Sequence, residues 1–202
     1  MQDYGTASVL GYQNSSGGLP THNYDTGFFD EKADDITGEK MADTILKDND
    51  TCYACTVRCK RVVETEYKGT RVDRFYGGPE YETLATFGSY CNVNDLNALA
   101  LASQLCAQYG VDTIGTGATI AFAMDLFEHG VITTKDTGGL ELKFGDADAM
   151  LAMLKLIVNK EGFGAILSQG SAKAAKQIGR GADEYVITVK GAELPAHMPQ
   201  VK

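Results

Sequence analysis

The sequence predicts a mainly α-helical fold with a small amount of β-structure, and three observations favour it. Helix caps or apolar stripes mark four stretches, at about residues 94–109, 118–129, 146–160 and 171–178. β-Branched and aromatic residues gather in only two short stretches, within 62–76 and 185–189. The regular alternation of strands and helices of a nucleotide-binding α/β fold is missing, and no Gly-rich phosphate loop follows a strand.

The first 37 residues are rich in Gly, Asn, Asp, Ser and Thr and have no sustained hydrophobic period. We expect residues 1–37 to form an extended segment that lies over another surface. Thr37 can cap a short helix over about 38–47, whose apolar face comprises Met41, Ala42, Ile45 and Leu46. Residues 38–202 are then expected to form a helical body that carries a cysteine loop, so that 1–202 is a single helical domain.

Two long central helices have clear boundary signals. Asn94 or Asp95 can cap the first, and Gly110 follows its last residue. This helix is apolar nearly all round, which predicts a buried position. The second is predicted from about Ala118 to His129. The segment Gly115-Thr116-Gly117 before it is either a tight turn or a set of backbone N–H groups for a phosphate.

Composition and charge exclude several functional classes. The 202 residues carry a net charge of −9, with 44% hydrophobic and 22% charged residues, which are ordinary values for a globular protein. An acidic balance argues against nucleic-acid binding, which needs clustered Lys and Arg. No run approaches the roughly 18 apolar residues of a membrane span, and Met1–Thr6 lacks the pattern of a signal peptide. We therefore expect a cytoplasmic location and no membrane partner.

The strongest chemical signal is the C-x2-C-x3-C run of Cys52, Cys55 and Cys59. Thiolates spaced so closely can converge on one soft centre, either an iron–sulfur cluster or zinc. The remaining alternative is a set of unligated cysteines. A negative cluster would be offset by three neighbouring cations, Arg58, Lys60 and Arg61.

Four other residues with metal-binding side chains lack a clear role. Cys91 and Cys106 are the remaining cysteines, and either could complete the site. Cys106 falls in the apolar helix, where a cysteine is usually a small core residue. His22 and His197 carry no local pattern, and we interpret both as surface or domain-interface residues.

Five motifs in order resemble one known family. The cysteine run is followed by Gly77-Gly78-Pro79-Glu80-Tyr81-Glu82-Thr83 and by Tyr109-Gly110-Val111-Asp112-Thr113, and it is flanked by the outer stretches 17–23 and 190–195. In sequence and spacing they resemble the aldehyde ferredoxin oxidoreductase family of tungsten-pterin enzymes. Family members are roughly three times as long, so the resemblance implies the helical middle domain of a larger enzyme whose N- and C-terminal domains are missing here.

The resemblance implies roles for five residues. Cys52, Cys55 and Cys59 match three ligands of a [4Fe–4S] cluster, whose fourth ligand comes from an absent domain. Glu82 matches a glutamate close to the tungsten and is the candidate for proton transfer. Glu80 is its rival, because both carboxylates lie in the same motif.

The family also has a pterin-binding motif, D-x-x-G-L-D. The resemblance places Gly110, Val111, Asp112 and Thr113 at the edge of a tungsten (or molybdenum) bis-pterin. Ala107 stands where the family has its first aspartate, so one pterin contact is lost. Without the resemblance, Asp112 would be interpreted as a turn or helix-capping residue.

The implied activity is oxidation of aldehydes to carboxylic acids, with electrons passed through the cluster to ferredoxin. We expect these residues alone to be inactive, since only three cluster ligands and one pterin motif are present. Two alternatives remain at this point. One is a benzoyl-coenzyme A reductase type of subunit within the same superfamily, and the other is a zinc-stabilised structural domain.

Overall fold

Eight α-helices form most of the regular backbone in the computed structural model, which describes residues 1–199. They are Leu10–Ser15 (α1), Gly38–Thr44 (α2), Tyr81–Leu84 (α3), Leu96–Tyr109 (α4), Thr113–Glu128 (α5), Ala147–Asn159 (α6), Gly162–Leu167 (α7) and Ser171–Ile178 (α8). The mainly α-helical prediction is confirmed. Within residues 1–199 no helix is long and apolar enough to cross a membrane.

The strands of the described residues pair as three small antiparallel sheets. Their bounds are Leu46–Asp50 (β1) with Lys60–Val63 (β2), Thr65–Tyr67 (β3) with Thr70–Val72 (β4), and Thr188–Val189 (β5) with Ala192–Glu193 (β6). The β3–β4 hairpin confirms the two-stranded excursion predicted within 62–76. The stretch 185–189 is strand only at its end, because a 3₁₀ turn occupies Ala182–Tyr185.

The helix predicted over 38–47 ends at Thr44, and the prediction was wrong beyond that residue. Thr37 does cap α2, since its side chain accepts a hydrogen bond from the Lys40 N–H at 3.1 Å. The acidic residues that follow form β1 instead, and Asp50 lies opposite Lys60 of β2. Pairing of an acidic strand with a basic one is a non-local effect that local helix propensity cannot show.

The central helix α4 has the predicted boundaries. Asp95 accepts hydrogen bonds from the N–H groups of Asn97 and Ala98, and Gly110 ends the helix in the left-handed conformation at φ 67°. Most of its side chains are buried, as predicted. Hydrogen bonding inside the helix and burial of its apolar surface therefore act together to fix it at the centre of the core.

Helix α5 begins five residues earlier than predicted, because Asp112 caps it. Gly115-Thr116-Gly117 is helical, so the turn interpretation was wrong, and the phosphate interpretation stays a prediction. Gly117 serves packing: a Cβ there would lie 2.7 Å from Cβ of Thr86. Thr86 belongs to a fully buried π-helical turn, Ala85–Ser89, that continues α3. The missing side chain lets α5 approach that turn closely.

The extended conformation predicted for residues 1–37 was wrong over much of that segment. It contains α1 and two 3₁₀ turns, Gly5–Val9 and Asp30–Ile36. Leu10, Leu19 and Ile36 are fully buried and belong to the main core. The segment therefore forms part of the domain and does not merely cover it.

Candidate functional site

The three clustered cysteines lie on the loop that joins β1 to β2. The strand pair closes this loop, and Lys60 Nζ lies 3.3 Å from Oδ2 of Asp50. Cys52 is exposed, whereas Cys55 and Cys59 are half-buried. The Cys55 N–H donates to the Cys52 carbonyl at 3.0 Å, which forms a tight turn within the run. The hairpin thus carries all three thiols on one loop, with exposed or half-buried side chains.

A buried arginine anchors this loop. Arg61 is only 2% exposed, and its guanidinium donates to the carbonyls of Arg58 at 2.8 Å, Cys59 at 3.3 Å and Asp3. Burial lowers the pKa of Arg61, and the opposing charges of Glu80, Cys59 and Asp3 act against that loss. The sequence suggested a cation that stabilises thiolates. In the structure Arg61 mainly donates hydrogen bonds to backbone carbonyls of the cysteine loop and to the Asp3 carbonyl.

The spacing of the thiols bears on which centre they suit. Among the described residues, the one set of Cys, His, Asp and Glu ligand atoms that all lie within 4.8 Å of one another is elsewhere in the chain. The Sγ atoms of Cys52, Cys55 and Cys59 are therefore spread more widely than that. Zinc and iron–sulfur clusters both take such thiolates, so this donor set suits either centre.

The other two cysteines are core residues. Cys91 and Cys106 are buried, with 0% and 1% of their surface exposed. Burial raises the pKa of both thiols, that of Cys106 to about 12. Both thiols therefore lie inside the core, whereas the three clustered cysteines lie on a loop with exposed or half-buried side chains.

Glu80 and Glu82 stand at the start of α3 and have different partners. Glu80 precedes the helix, and its carboxylate accepts a hydrogen bond from the Thr6 hydroxyl. The same hydroxyl accepts from the Tyr81 N–H at 2.9 Å. Glu80 therefore joins the first residues of the chain to α3, beside the buried Arg61.

Glu82 is held by a segment far away in the sequence. Its Oε2 accepts a hydrogen bond from the Ala196 N–H at 2.8 Å, and its Oε1 lies 3.7 Å from Nε2 of His197. The side chain is 27% exposed, so the carboxylate is positioned but still accessible. Sequence reasoning missed this pairing and assigned His197 to a surface or interface.

Three tyrosine hydroxyls fix the segment that holds Glu82. They belong to Tyr24, Tyr81 and Tyr90, and they donate in turn to the carbonyls of Pro195 at 2.6 Å, Ala196 at 2.5 Å and Leu194 at 3.2 Å. Burial raises the pKa of all three phenols, that of Tyr24 to about 12. They therefore remain protonated donors near neutral pH. Three side-chain hydrogen bonds therefore fix residues 194–196, whose Ala196 N–H binds Glu82.

The predicted pterin segment turns between α4 and α5. Asp112 is exposed, and its Oδ2 caps α5 by accepting from the Gly115 N–H at 2.6 Å. The helix-capping interpretation is confirmed, and it leaves the other carboxylate oxygen on the surface. Val111, Asp112 and Glu193 line a cavity of about 360 Å³. A carboxylate and turn backbone beside a cavity are suited to the polar edge of a heterocycle.

Two threonines connect this segment to the helix of Glu82. The Thr83 hydroxyl donates to Oγ1 of Thr113 at 3.0 Å, and the Thr86 hydroxyl lies 3.1 Å from the Thr113 carbonyl. The segment that begins with Glu82 is thus joined to Thr113, the last residue of the predicted pterin segment. Thr83 and Thr86 were not predicted; buried polar residues within an apolar run were the one available signal.

Sequence comparison gives the family. A family model described as "Aldehyde ferredoxin oxidoreductase, domains 2 & 3" matches residues 1–202. The chain belongs to the aldehyde ferredoxin oxidoreductase family. It is 37% identical over 200 residues to the "Tungsten-containing aldehyde ferredoxin oxidoreductase" of Pyrococcus abyssi, which covers 98% of this chain and 32% of the relative. This family assignment confirms the resemblance inferred from the five motifs.

Two further proteins are similar to this chain. It is 31% identical over 206 residues to the "Aliphatic sulfonate oxidoreductase, WOR-like subunit" of Pyrococcus furiosus, with 97% of this chain and 32% of the relative covered. The solved "Active site complex BamBC of Benzoyl Coenzyme A reductase in complex with 1,5 Dienoyl-CoA" has the same fold, at a TM-score of 0.73 and 24% identity, over 97% of this chain and 29% of that one. The chain spans about a third of the length of the curated relatives it matches.

Proposed function

We propose that this chain is the part of a tungsten-pterin oxidoreductase that supplies three ligands of a [4Fe–4S] cluster and a proton-transfer glutamate. The observation that carries the proposal is the position of Glu82, which is held by Ala196 and joined through Thr83 to Thr113 of the predicted pterin segment. The same carboxylate is 27% exposed, so it is held in place without being fully buried. The further domains that the relatives possess would supply the rest of the site.

We propose aldehydes as the substrates and ferredoxin as the electron acceptor. The name and 37% identity of the Pyrococcus abyssi relative support this choice. The relative named for aliphatic sulfonates is less similar, at 31%. The overall reaction converts an aldehyde and water to a carboxylic acid and releases two protons and two electrons. Clustered thiols fit a reducing compartment, so we place the protein in the cytoplasm.

The candidate site residues would then have the following roles. The tungsten-pterin group, when bound, supplies the two-electron redox chemistry. Asp112 and the backbone of Gly110 and Val111 would hold the edge of the pterin. Cys52, Cys55 and Cys59 would hold the cluster, with the fourth ligand from outside these residues. Molybdenum in place of tungsten would leave these contacts unchanged.

Glu82 would accept a proton from the water that attacks the carbonyl carbon. A positioned carboxylate of this kind contributes typically about 10² to 10⁴-fold in rate. The Ala196 N–H holds one of its oxygens in place and leaves the other, near His197, to exchange the proton. Glu82 is half-buried, with 27% of its side chain exposed.

The test compares Glu82→Gln with Glu80→Gln in the protein at its natural length. Glu82→Gln should lower aldehyde-dependent viologen reduction by about 10²-fold or more, with tungsten and iron contents unchanged. Glu80→Gln is the matched control. Because Glu80 binds Thr6, this variant should lower turnover less, and the thermal midpoint more, than Glu82→Gln does. Normal turnover in Glu82→Gln with an unshifted pH profile would reject the proton-transfer role.

A further inference from the structure

A second cluster of ligand-type side chains lies at the far end of α5, and the proposed function does not use it. Asp125, Glu128 and His129 occupy positions i, i+3 and i+4, so they share one face of the helix. One ligand atom from each lies within 4.8 Å of the others. A fourth side chain, His22, reaches the same place from the first part of the chain, with Nε2 at 2.8 Å from Oε2 of Glu128.

Two distances between these atoms are in the range found for neighbouring ligands of one metal ion. Ligands about 2.1 Å from a metal ion lie about 3.0 Å apart at right angles and about 3.4 Å apart in a tetrahedron. Nδ1 of His129 lies 3.0 Å from Oδ1 of Asp125 and also 3.0 Å from the Asp125 carbonyl oxygen, and Nε2 of His22 lies 2.8 Å from Oε2 of Glu128. The imidazole of His22 is also fixed, because it stacks on Phe144 with ring centroids 3.6 Å apart.

A neighbouring side chain orients the most buried ligand. Asn23 is 7% exposed, and its Nδ2 donates to Oδ2 of Asp125 at 2.7 Å and to the Tyr185 carbonyl at 3.2 Å. One carboxylate oxygen is therefore occupied, and Oδ1 is turned toward His129. Outer-shell hydrogen bonds of this kind are typical of ligands that hold a metal.

The charge around the cluster favours a cation. A cavity of about 370 Å³ adjoins it, and the residues that line the cavity include no Lys or Arg. The carboxylates in the lining outnumber the imidazoles; they are Asp25, Asp125, Glu128 and Glu184. The two imidazoles can balance at most two of these carboxylates, and a bound divalent cation would offset the remaining negative charge.

We propose that Asp125, Glu128 and His129, with His22 as the fourth ligand, bind a divalent transition metal ion of the Zn²⁺ type. Two imidazoles with two carboxylates are a donor set that suits such ions, whereas Mg²⁺ and Ca²⁺ prefer oxygen alone. The metal would link the end of α5 to the His22 segment. This site is separate from the cysteine loop and from Glu82.

The test counts zinc in the protein at its natural length. Wild-type protein and variants are dialysed against dilute Zn²⁺, and bound zinc is measured by elemental analysis. The His129→Gln and Asp125→Asn variants should each bind one ion fewer per chain, or bind it at least about tenfold more weakly, a loss seen even for outer-shell changes. The cysteine thiols are common to all samples, so their zinc cancels in the difference.

The control is Glu161→Gln, which removes an exposed carboxylate outside the cavity. It should retain the wild-type zinc content. Zn²⁺ should also raise the thermal midpoint of the wild-type protein and of Glu161→Gln, but not that of His129→Gln. Equal zinc contents in wild type and His129→Gln would show that the cluster forms only direct ion pairs. If Asp125→Asn fails to fold, His22→Gln and His129→Gln, which change exposed or half-buried side chains, decide the question.

Discussion

The Ala196 N–H donates a hydrogen bond of 2.8 Å to Oε2 of Glu82, although the two residues are 114 positions apart in the chain. One carboxylate oxygen is thus engaged with the backbone, and only the other, 3.7 Å from His197, is free for proton exchange. The same side chain therefore has a structural contact and a proposed chemical task, and different substitutions should separate them.

Glu82→Ala should release the segment around Ala196, whereas Glu82→Gln should not. The glutamine amide oxygen can still accept the Ala196 hydrogen bond, and alanine cannot. We expect the Ala196 amide to exchange with deuterium about tenfold faster in Glu82→Ala, as loss of roughly 1.4 kcal/mol of local stability would require. Hydrogen exchange resolved to that peptide measures it. Equal exchange in both variants would mean that the three tyrosines alone hold the segment.

Each of Cys52→Ala, Cys55→Ala and Cys59→Ala should lower the iron content of the protein and alter its low-temperature EPR signal. A cluster iron loses its thiolate in each case. Cys106→Ala is the control, because that buried thiol has a pKa of about 12 and remains protonated. Unchanged iron in all three loop variants, or loss of iron in Cys106→Ala, would contradict the assignment.

Arg61→Gln should destabilise the protein by about 2 to 3 kcal/mol and speed loss of iron. The substitution removes the buried guanidinium and leaves the part-buried carbonyls of Arg58, Cys59 and Asp3 without their charged donor. Lys60→Gln removes an exposed ion pair and should change stability by less than about 1 kcal/mol. Urea unfolding compares the two. Unfolding free energies of Arg61→Gln and Lys60→Gln that agree within error would show that water replaces the guanidinium.

Stability should fall in acid as Asp136 takes up a proton. Hydrogen bonds from Arg180 and from the Thr133 N–H hold the pKa of Asp136 at about 2, below the usual 3.8. Because the folded-state pKa is depressed, its contribution is fully present above about pH 4 and is lost as the pH falls through 2. Carboxyl NMR titration should show the pKa rising toward 3.8 in Arg180→Gln and staying low in the control Arg74→Gln.

Local features made part of this fold predictable. Asp95 and Gly110 mark the ends of α4 because capping depends on residues close in sequence. The acidic strand β1 was missed because its conformation comes from pairing with β2. The candidate site, like the fold, could be predicted only where it depends on residues close in sequence. The cysteine spacing is visible in the sequence, whereas the burial of Arg61 and the partners of Glu82 exist only after distant segments have met.

The two glutamates depend on hydrogen bonds that close long stretches of chain. Thr6 lies 74 positions from Glu80, and Ala196 lies 114 positions from Glu82. Closing such loops costs entropy before any contact repays it, so contacts of this kind form late in folding. Helices with local caps, such as α4 and α6, can form earlier. We therefore expect the polypeptide to collapse and acquire its helices first, and to become chemically competent only in the last step of its maturation.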